Sequence, residues 1–135
     1  MNSHYGFTLL ELLVAVVIAG VLFGLALPTY SHSRIRVERN EGRIALLHQA
    51  TRQSSFFVAH GRYAADMSEL GFAEPVGLTE HGRFTLQVVQ SDLNGFVIRA
   101  ERTDLSADSD CLWFSVDQSQ TRQSGPGDAN ECWTR

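Results

Sequence analysis

Lysine is missing from this chain: all eleven basic residues are arginine, and fifteen acidic residues leave a net charge of -4. A general nucleic-acid binder needs a surplus of positive charge to displace counterions, so this balance argues against one. Cysteine is scarce, with two in 135 residues, too few for a disulfide-rich scaffold or an all-cysteine zinc site. No CxxC, HExxH, glycine-rich phosphate loop or nucleophile elbow occurs, and His32, His48, His60 and His81 are scattered. No spacing therefore proposes a metal, a cofactor or a catalytic triad, and we expect none. A chain of this length holds one small domain, or one with an anchor, and not a large multidomain enzyme.

Charge is also absent from one long stretch. Leu12 to Leu27 are sixteen residues without a charged or strongly hydrogen-bonding side chain; extended back to Phe7 the segment has 21 residues, with Thr8 and Glu11 as its polar members. As a helix it would cover roughly 30 Å, a bilayer core. A buried core helix would need more protein around it than the 107 residues after Pro28 provide. A cleaved secretory signal would have a basic start, whereas Met1–Gly6 holds no Arg or Lys; Gly24-Leu25-Ala26 alone has the small-x-small form of a cleavage site. A retained membrane helix is the better reading. Glu11 is its oddity: a carboxylate at membrane depth costs ~2.5–3.5 kcal/mol near the helix centre, less near an end. The positive end of the helix dipole explains why it is tolerated but not why it is there.

Gly6-Phe7-Thr8-Leu9-Leu10-Glu11, running into an unbroken apolar stretch, resembles the N-terminal signature of type IV pilins and pseudopilins. The resemblance implies prepilin-peptidase cleavage between Gly6 and Phe7, N-methylation of Phe7, and a role for Glu11 in assembly. Pro28 matches a proline at which the family's helix kinks or loosens. It implies further partners: other pilin subunits, the inner-membrane assembly machinery, and lipid before assembly. The physics fits, because Glu11 could neutralise the new Phe7 amine of an axially shifted neighbour. Each charge resists burial alone, and only the correct register pairs them. Two departures are visible. The leader offers only His4 as a basic group, and Arg34, Arg36, Arg39 and Arg43 follow the span. By the positive-inside rule alone those arginines would keep the C-terminal part cytoplasmic; the pilin motif places it in the periplasm.

From Thr29 to about Val58 no proline interrupts, and Val37, Ile44, Leu47, Ala50 or Thr51, and Phe57 or Val58 recur at helical spacing. This predicts a continuing helix with an apolar stripe for a sheet and the arginines on a solvated face. Asp66-Met67-Ser68-Glu69 has the form of a capping box, with Leu70-Gly71 ending the turn. Phe84–Val89, Phe96–Glu101 and Leu112–Val116 alternate as strands, and a fourth is expected around Thr121–Gln123. Asn94-Gly95 would supply positive backbone angles to the first hairpin. Asp104, Asp108 and Asp110 lack the spacing of a calcium loop and read as solvated. The predicted fold is α+β: a long N-terminal helix, its first half transmembrane, packed on a four-stranded antiparallel sheet. The expected partition is leader 1–6, membrane and assembly helix 7–28, amphipathic helix 29–58 and head 59–135.

Cys111 and Cys132 enclose 22 residues counted inclusively. In an oxidising periplasm they would form one bridge, with two free thiols as the alternative. Their placement, and the Cys132-Trp133 ending, resemble the C-terminal loop of PilE-type minor pilins; Gly125–Asp128 would be its exposed tip. The resemblance implies a minor pilin supporting motility, adhesion or DNA uptake, with no catalysis of its own. A type II secretion pseudopilin is the alternative within the family, and a DNA-binding uptake pilin the alternative in kind. Net charge makes nucleic acid an unfavoured partner, although Arg83, Arg99, Arg102 and Arg122 could form a patch on the sheet.

Overall fold

The computed structural model describes residues 7–134, without the side chains of residues 25–32. The leader, the Gly6 side of the cleavage bond and the side chain of Pro28 therefore lie outside the described residues. In chain order the elements are α1 (Leu9–His60), a 3₁₀ turn (Ser68–Leu70), β1 (Gly77–Leu78), β2 (Phe84–Ser91), β3 (Phe96–Arg102), β4 (Cys111–Asp117), β5 (Arg122–Pro126) and α2 (Ala129–Thr134). The chain divides into two compact units, one ending at Arg34 and the other Ile35–Arg135.

The first unit is the beginning of α1. The Thr8 hydroxyl accepts a hydrogen bond from the Glu11 amide at 3.3 Å, so Thr8 caps the helix and Glu11 stands at its third position. From Leu9 to Phe23 every large apolar side chain is 49–81% exposed. Among the described residues no helix is long and apolar enough to cross a membrane.

The second unit packs α1, from Ile35 on, against a five-stranded antiparallel meander in the order β1-β2-β3-β4-β5. The sheet thus has one strand more than expected. β1 pairs only at Gly77–Leu86 and Leu78–Thr85, too short to show an alternating pattern. Alternation places Phe84 and Leu86, Phe96, Ile98 and Ala100, and Phe114 and Val116 on the inner face. There they meet Leu46 and Ala50 of α1 and Met67 in a fully buried core.

The inward face of α1 differs from the expected stripe. Buried are Glu38, Gly42, Leu46, Gln49, Ala50 and Gln53, whereas Val37 is 62% and Ile44 66% exposed. Hydropathy misses this face because four of these six residues are polar or lack a side chain. Gly42 is needed where the Phe84 ring approaches, since a Cβ there would lie 3.1 Å from the ring. The close approach offsets the ~1 kcal/mol that glycine costs inside a helix. Gln53, fully buried, accepts from the Ala64 amide at 2.8 Å and donates to its carbonyl at 3.0 Å.

Three turns also differ. Asp66 does not cap through a box; its carboxylate accepts from the Ser68 amide at 2.8 Å. Glu69 instead binds Arg62 at 2.6 and 2.9 Å and the Ala65 amide at 2.7 Å, and these partners, Arg62 first, lower its pKa to about 2. Gly71, at φ +92°, does end the turn. In the β2–β3 hairpin neither Asn94 nor Gly95 takes a positive φ. The Asp92 carboxylate holds that tip by accepting from the Asn94 and Gly95 amides at 2.7 and 2.9 Å. Finally, Gly125 and Pro126 belong to β5 and not to an exposed tip: a Cβ on buried Gly125 would lie 2.8 Å from the Trp113 ring.

Candidate functional site

The residues singled out in the sequence fall in two places. At the start of α1, Phe7 is 72% exposed and Glu11 sits exposed in the first turn, where the unpaired amides favour a carboxylate. In the head, Cys111 and Cys132 form a disulfide with a Cα–Cα separation of 5.7 Å. It ties the start of β4 to α2. Trp133 then packs edge-on against Phe114, its indole N–H donates to the Gln123 carbonyl at 3.0 Å, and the Arg43 guanidinium reaches its carbonyl. α2 is thereby held against β4 and β5 and tied to α1.

The largest polar feature of the head carries no sequence motif. Seven charged or chargeable side chains alternate in sign: Arg39, Asp108, Arg102, Glu38, Arg83, Glu41 and His81. Arg39 grips Asp108 with two bonds, 2.6 and 2.9 Å. Arg102 stands 3.8 Å from Asp108 and donates to Glu38 at 2.9 Å. Arg83 lies 3.7 Å from Glu38 and donates to Glu41 at 3.0 Å; His81 lies 3.4 Å from Glu41. The ladder stitches α1 to the β1–β2 and β3–β4 connections. The bond from Arg39 holds Asp108 below the usual carboxylate range, and Arg39 is raised in return. Burial pushes Glu41 up, but hydrogen bonds from Thr79, the His81 amide and Arg83 outweigh it and the net shift is downward.

Two expectations change accordingly. Asp108 is buried and paired instead of solvated, whereas Asp104 makes a local turn by accepting from Ser106 at 3.0 Å. The four-arginine patch does not form. Arg83 and Arg102 belong to the ladder. Strand register puts Arg99, stacked 4.5 Å over Trp113, on the outer face, while Arg122 lies over Trp133 beside α2. Among the described residues no three of His, Cys, Asp and Glu gather as a metal site. The ladder was hidden because five of its six links join residues 40 to 69 positions apart and each residue alone looks like a surface charge. The one available signal was Glu38 in phase with Gly42, Leu46 and Gln53.

Comparison with known proteins gives two family matches. Residues 28–115 match the family described as type IV minor pilin ComP, DNA uptake sequence receptor. Residues 1–27 match the prokaryotic N-terminal methylation motif. The chain is 38% identical over 72 residues to the type IV major pilin protein PilA of Myxococcus xanthus, covering 53% of this chain and 33% of that protein. It is 30% identical over 76 residues to the type IV major pilin protein PilE1 of Neisseria gonorrhoeae, covering 56% and 46%. With a fimbrial protein of Neisseria meningitidis serogroup A the identity is 25% over 127 residues, 84% of this chain and 74% of that protein. The chain thus spans less than half the length of the first two relatives.

Proposed function

The chain belongs to the type IV pilin family, and from that premise we propose that it is a minor structural subunit of a type IV pilus, made as a prepilin. The leader 1–6 is removed between Gly6 and Phe7 by a prepilin peptidase, and Phe7 is N-methylated. Residues 7–28 hold the subunit in the inner membrane, with residues 29–58 and the head 59–135 in the periplasm. The assembly machinery then draws it into a filament of pilin subunits at the cell surface. It performs no catalysis. The observation that carries this reading is the exposed helix: side chains from Leu9 to Phe23 that are 49–81% exposed need lipid or neighbouring helices around them. Glu11 meets the Phe7 amine of a neighbour there, so both charges enter the apolar bundle neutralised. Pro28 ends the membrane and assembly segment.

Intact mass with N-terminal sequencing tests the processing. A methylated Phe7 is expected, and a product keeping Met1 or starting at Leu27 overturns it. Glu11→Ala should insert and be processed yet stay out of filaments; normal incorporation refutes its role.

A second reading, DNA uptake, is favoured by the family match over residues 28–115. The net charge of -4 and the pairing of Arg83 and Arg102 count against it. A DNA shift assay on residues 35–135 decides. Binding that weakens steeply with salt supports uptake, and none up to high protein concentration rejects it.

A further inference from the structure

Asn94-Gly95 is the one Asn-Gly pair of the chain. An asparagine followed by glycine is chemically labile, because no Cβ shields the amide nitrogen that follows it. That nitrogen attacks the side-chain carbonyl carbon, and water opens the resulting ring to an acid. The hairpin does not need glycine for its turn, since Gly95 has no positive φ. It needs glycine for packing: Gly95 is buried, and a Cβ there would run into the side-chain amide of Gln118. The β2–β3 and β4–β5 turns thus meet at Gly95. Their packing leaves a labile pair at a hairpin tip where Asn94 itself is exposed.

The tip holds that pair still. The Gly95 amide donates to the Asp92 carboxylate at 2.9 Å, and the same oxygen accepts from the Asn94 amide at 2.7 Å. The Gly95 carbonyl accepts from the Asp92 amide at 2.9 Å. The next amide along, that of Phe96, donates to the Gln118 side-chain oxygen at 3.3 Å. The Asn94 and Gly95 amides hold the Asp92 carboxyl below its usual range, so it is ionised at neutral pH. Ring closure needs two events that these bonds oppose. The Gly95 nitrogen must give up its proton, and an anion forming there is repelled by the carboxylate against it. The peptide must also turn the nitrogen towards the Asn94 side chain, which carries its N–H away from Asp92.

We propose that Asn94 is a latent deamidation site and that Asp92 is the residue that keeps it closed. While the Gly95 amide is bound to Asp92, Asn94 persists. In a tip that has lost this bond, the Gly95 nitrogen bonds to the Asn94 side-chain carbon and ammonia leaves. Water then adds to either carbonyl of the succinimide, giving aspartate or isoaspartate. In sum, one amide and one water become one carboxylate and one ammonium ion. The folded chain therefore converts at the rate of the free chain multiplied by the fraction of time its tip is open. The product changes the turn: isoaspartate lengthens the main chain between the two amides that Asp92 binds, and it sets a second carboxylate beside Asp92. This chemistry is independent of the pilus-subunit reading.

The test follows Asn94 in the purified full chain, kept folded in detergent at mildly alkaline pH and sampled over days. Trypsin cuts after Arg83 and Arg99, and the peptide between them holds Asn94 as its only asparagine. Mass spectrometry reads the gain from amide to acid, fragment ions place it, and enzymatic methylation of the peptide counts isoaspartate. The folded chain should convert at least about tenfold more slowly than the same chain in urea with its disulfide reduced. Asp92→Ala should raise the folded rate at least about tenfold. Asp92→Asn, which keeps an acceptor oxygen, should recover most of the protection. Gln118→Ala frees the Phe96 amide but leaves Asp92 in place, and should stay within about threefold of the parent. Equal rates in folded and unfolded parent, an Asp92→Ala rate equal to the parent's, or a Gln118→Ala rate matching the unfolded chain overturns the proposal. The first and third of these comparisons need no Asp92 variant, so they decide the matter even where Asp92→Ala does not fold.

Discussion

Replacing Arg102 by Met would break the charge ladder at its centre. The Arg102 side chain is 2% exposed and that of Glu38 is 6%, with 2.9 Å between the charged atoms. Removing one partner of a buried pair typically destabilises by about 3–5 kcal/mol, because the remaining charge stays desolvated. Here Glu38 keeps Arg83 at 3.7 Å, and Arg83 is one-third exposed, so the lower end of that range applies, about 3 kcal/mol. Asp108 loses a cation 3.8 Å away but keeps both bonds from Arg39. Glu38→Met combined with Arg102→Met removes both desolvated charges and fills similar volume, so the double variant should return to within about 1 kcal/mol of the parent. Urea unfolding of residues 35–135 reads both. With a slope of roughly 1.5–2 kcal/mol per molar, the single variant should lower the midpoint by about 1.5–2 M, and the double should restore most of it. A double variant no more stable than Arg102→Met would refute the view that the buried Glu38 charge, deprived of Arg102, causes the loss.

Three further perturbations test the head. Gln53→Leu keeps the volume but strands the buried Ala64 amide and carbonyl, and should destabilise by about 2–6 kcal/mol in chemical unfolding. Cys111→Ser with Cys132→Ser opens a loop of sequence separation 21 and should lose about 3 kcal/mol by loop-closure entropy, seen as a lower unfolding midpoint that reductant no longer changes. Asp108 and Glu41 titrate lower in the folded head than in the unfolded chain. Their contribution is full above the ordinary carboxylate range and disappears as pH falls through the depressed folded values. Unfolding midpoints should therefore drop below about pH 4, and the drop should be shallower in Arg39→Gln, which removes the main cause of the Asp108 shift; an unchanged slope would contradict that assignment.

The parts legible in the residue order are those carried by short-range chemistry. The motif from Gly6 to Glu11 and the uncharged run behind it name the family, and Thr8 caps α1 from within that motif. Strong alternation located β2, β3 and β4, and Gly71 ended its turn as expected. Long-range packing decided the rest. β1 has two residues and no pattern of its own; it exists because β2 offers an edge. Gly125 and Pro126 look like a loop but pair with Trp113 and Cys111 in β5. Above all, the face α1 turns to the sheet is marked by the partners it meets: Arg102 for Glu38, the Phe84 ring for Gly42, the Ala64 backbone for Gln53. Hydropathy ranks Val37 and Ile44 above all three, because it measures transfer from water and cannot see a hydrogen bond that forms only when distant strands arrive. Only folding could therefore leave those two side chains open at the surface.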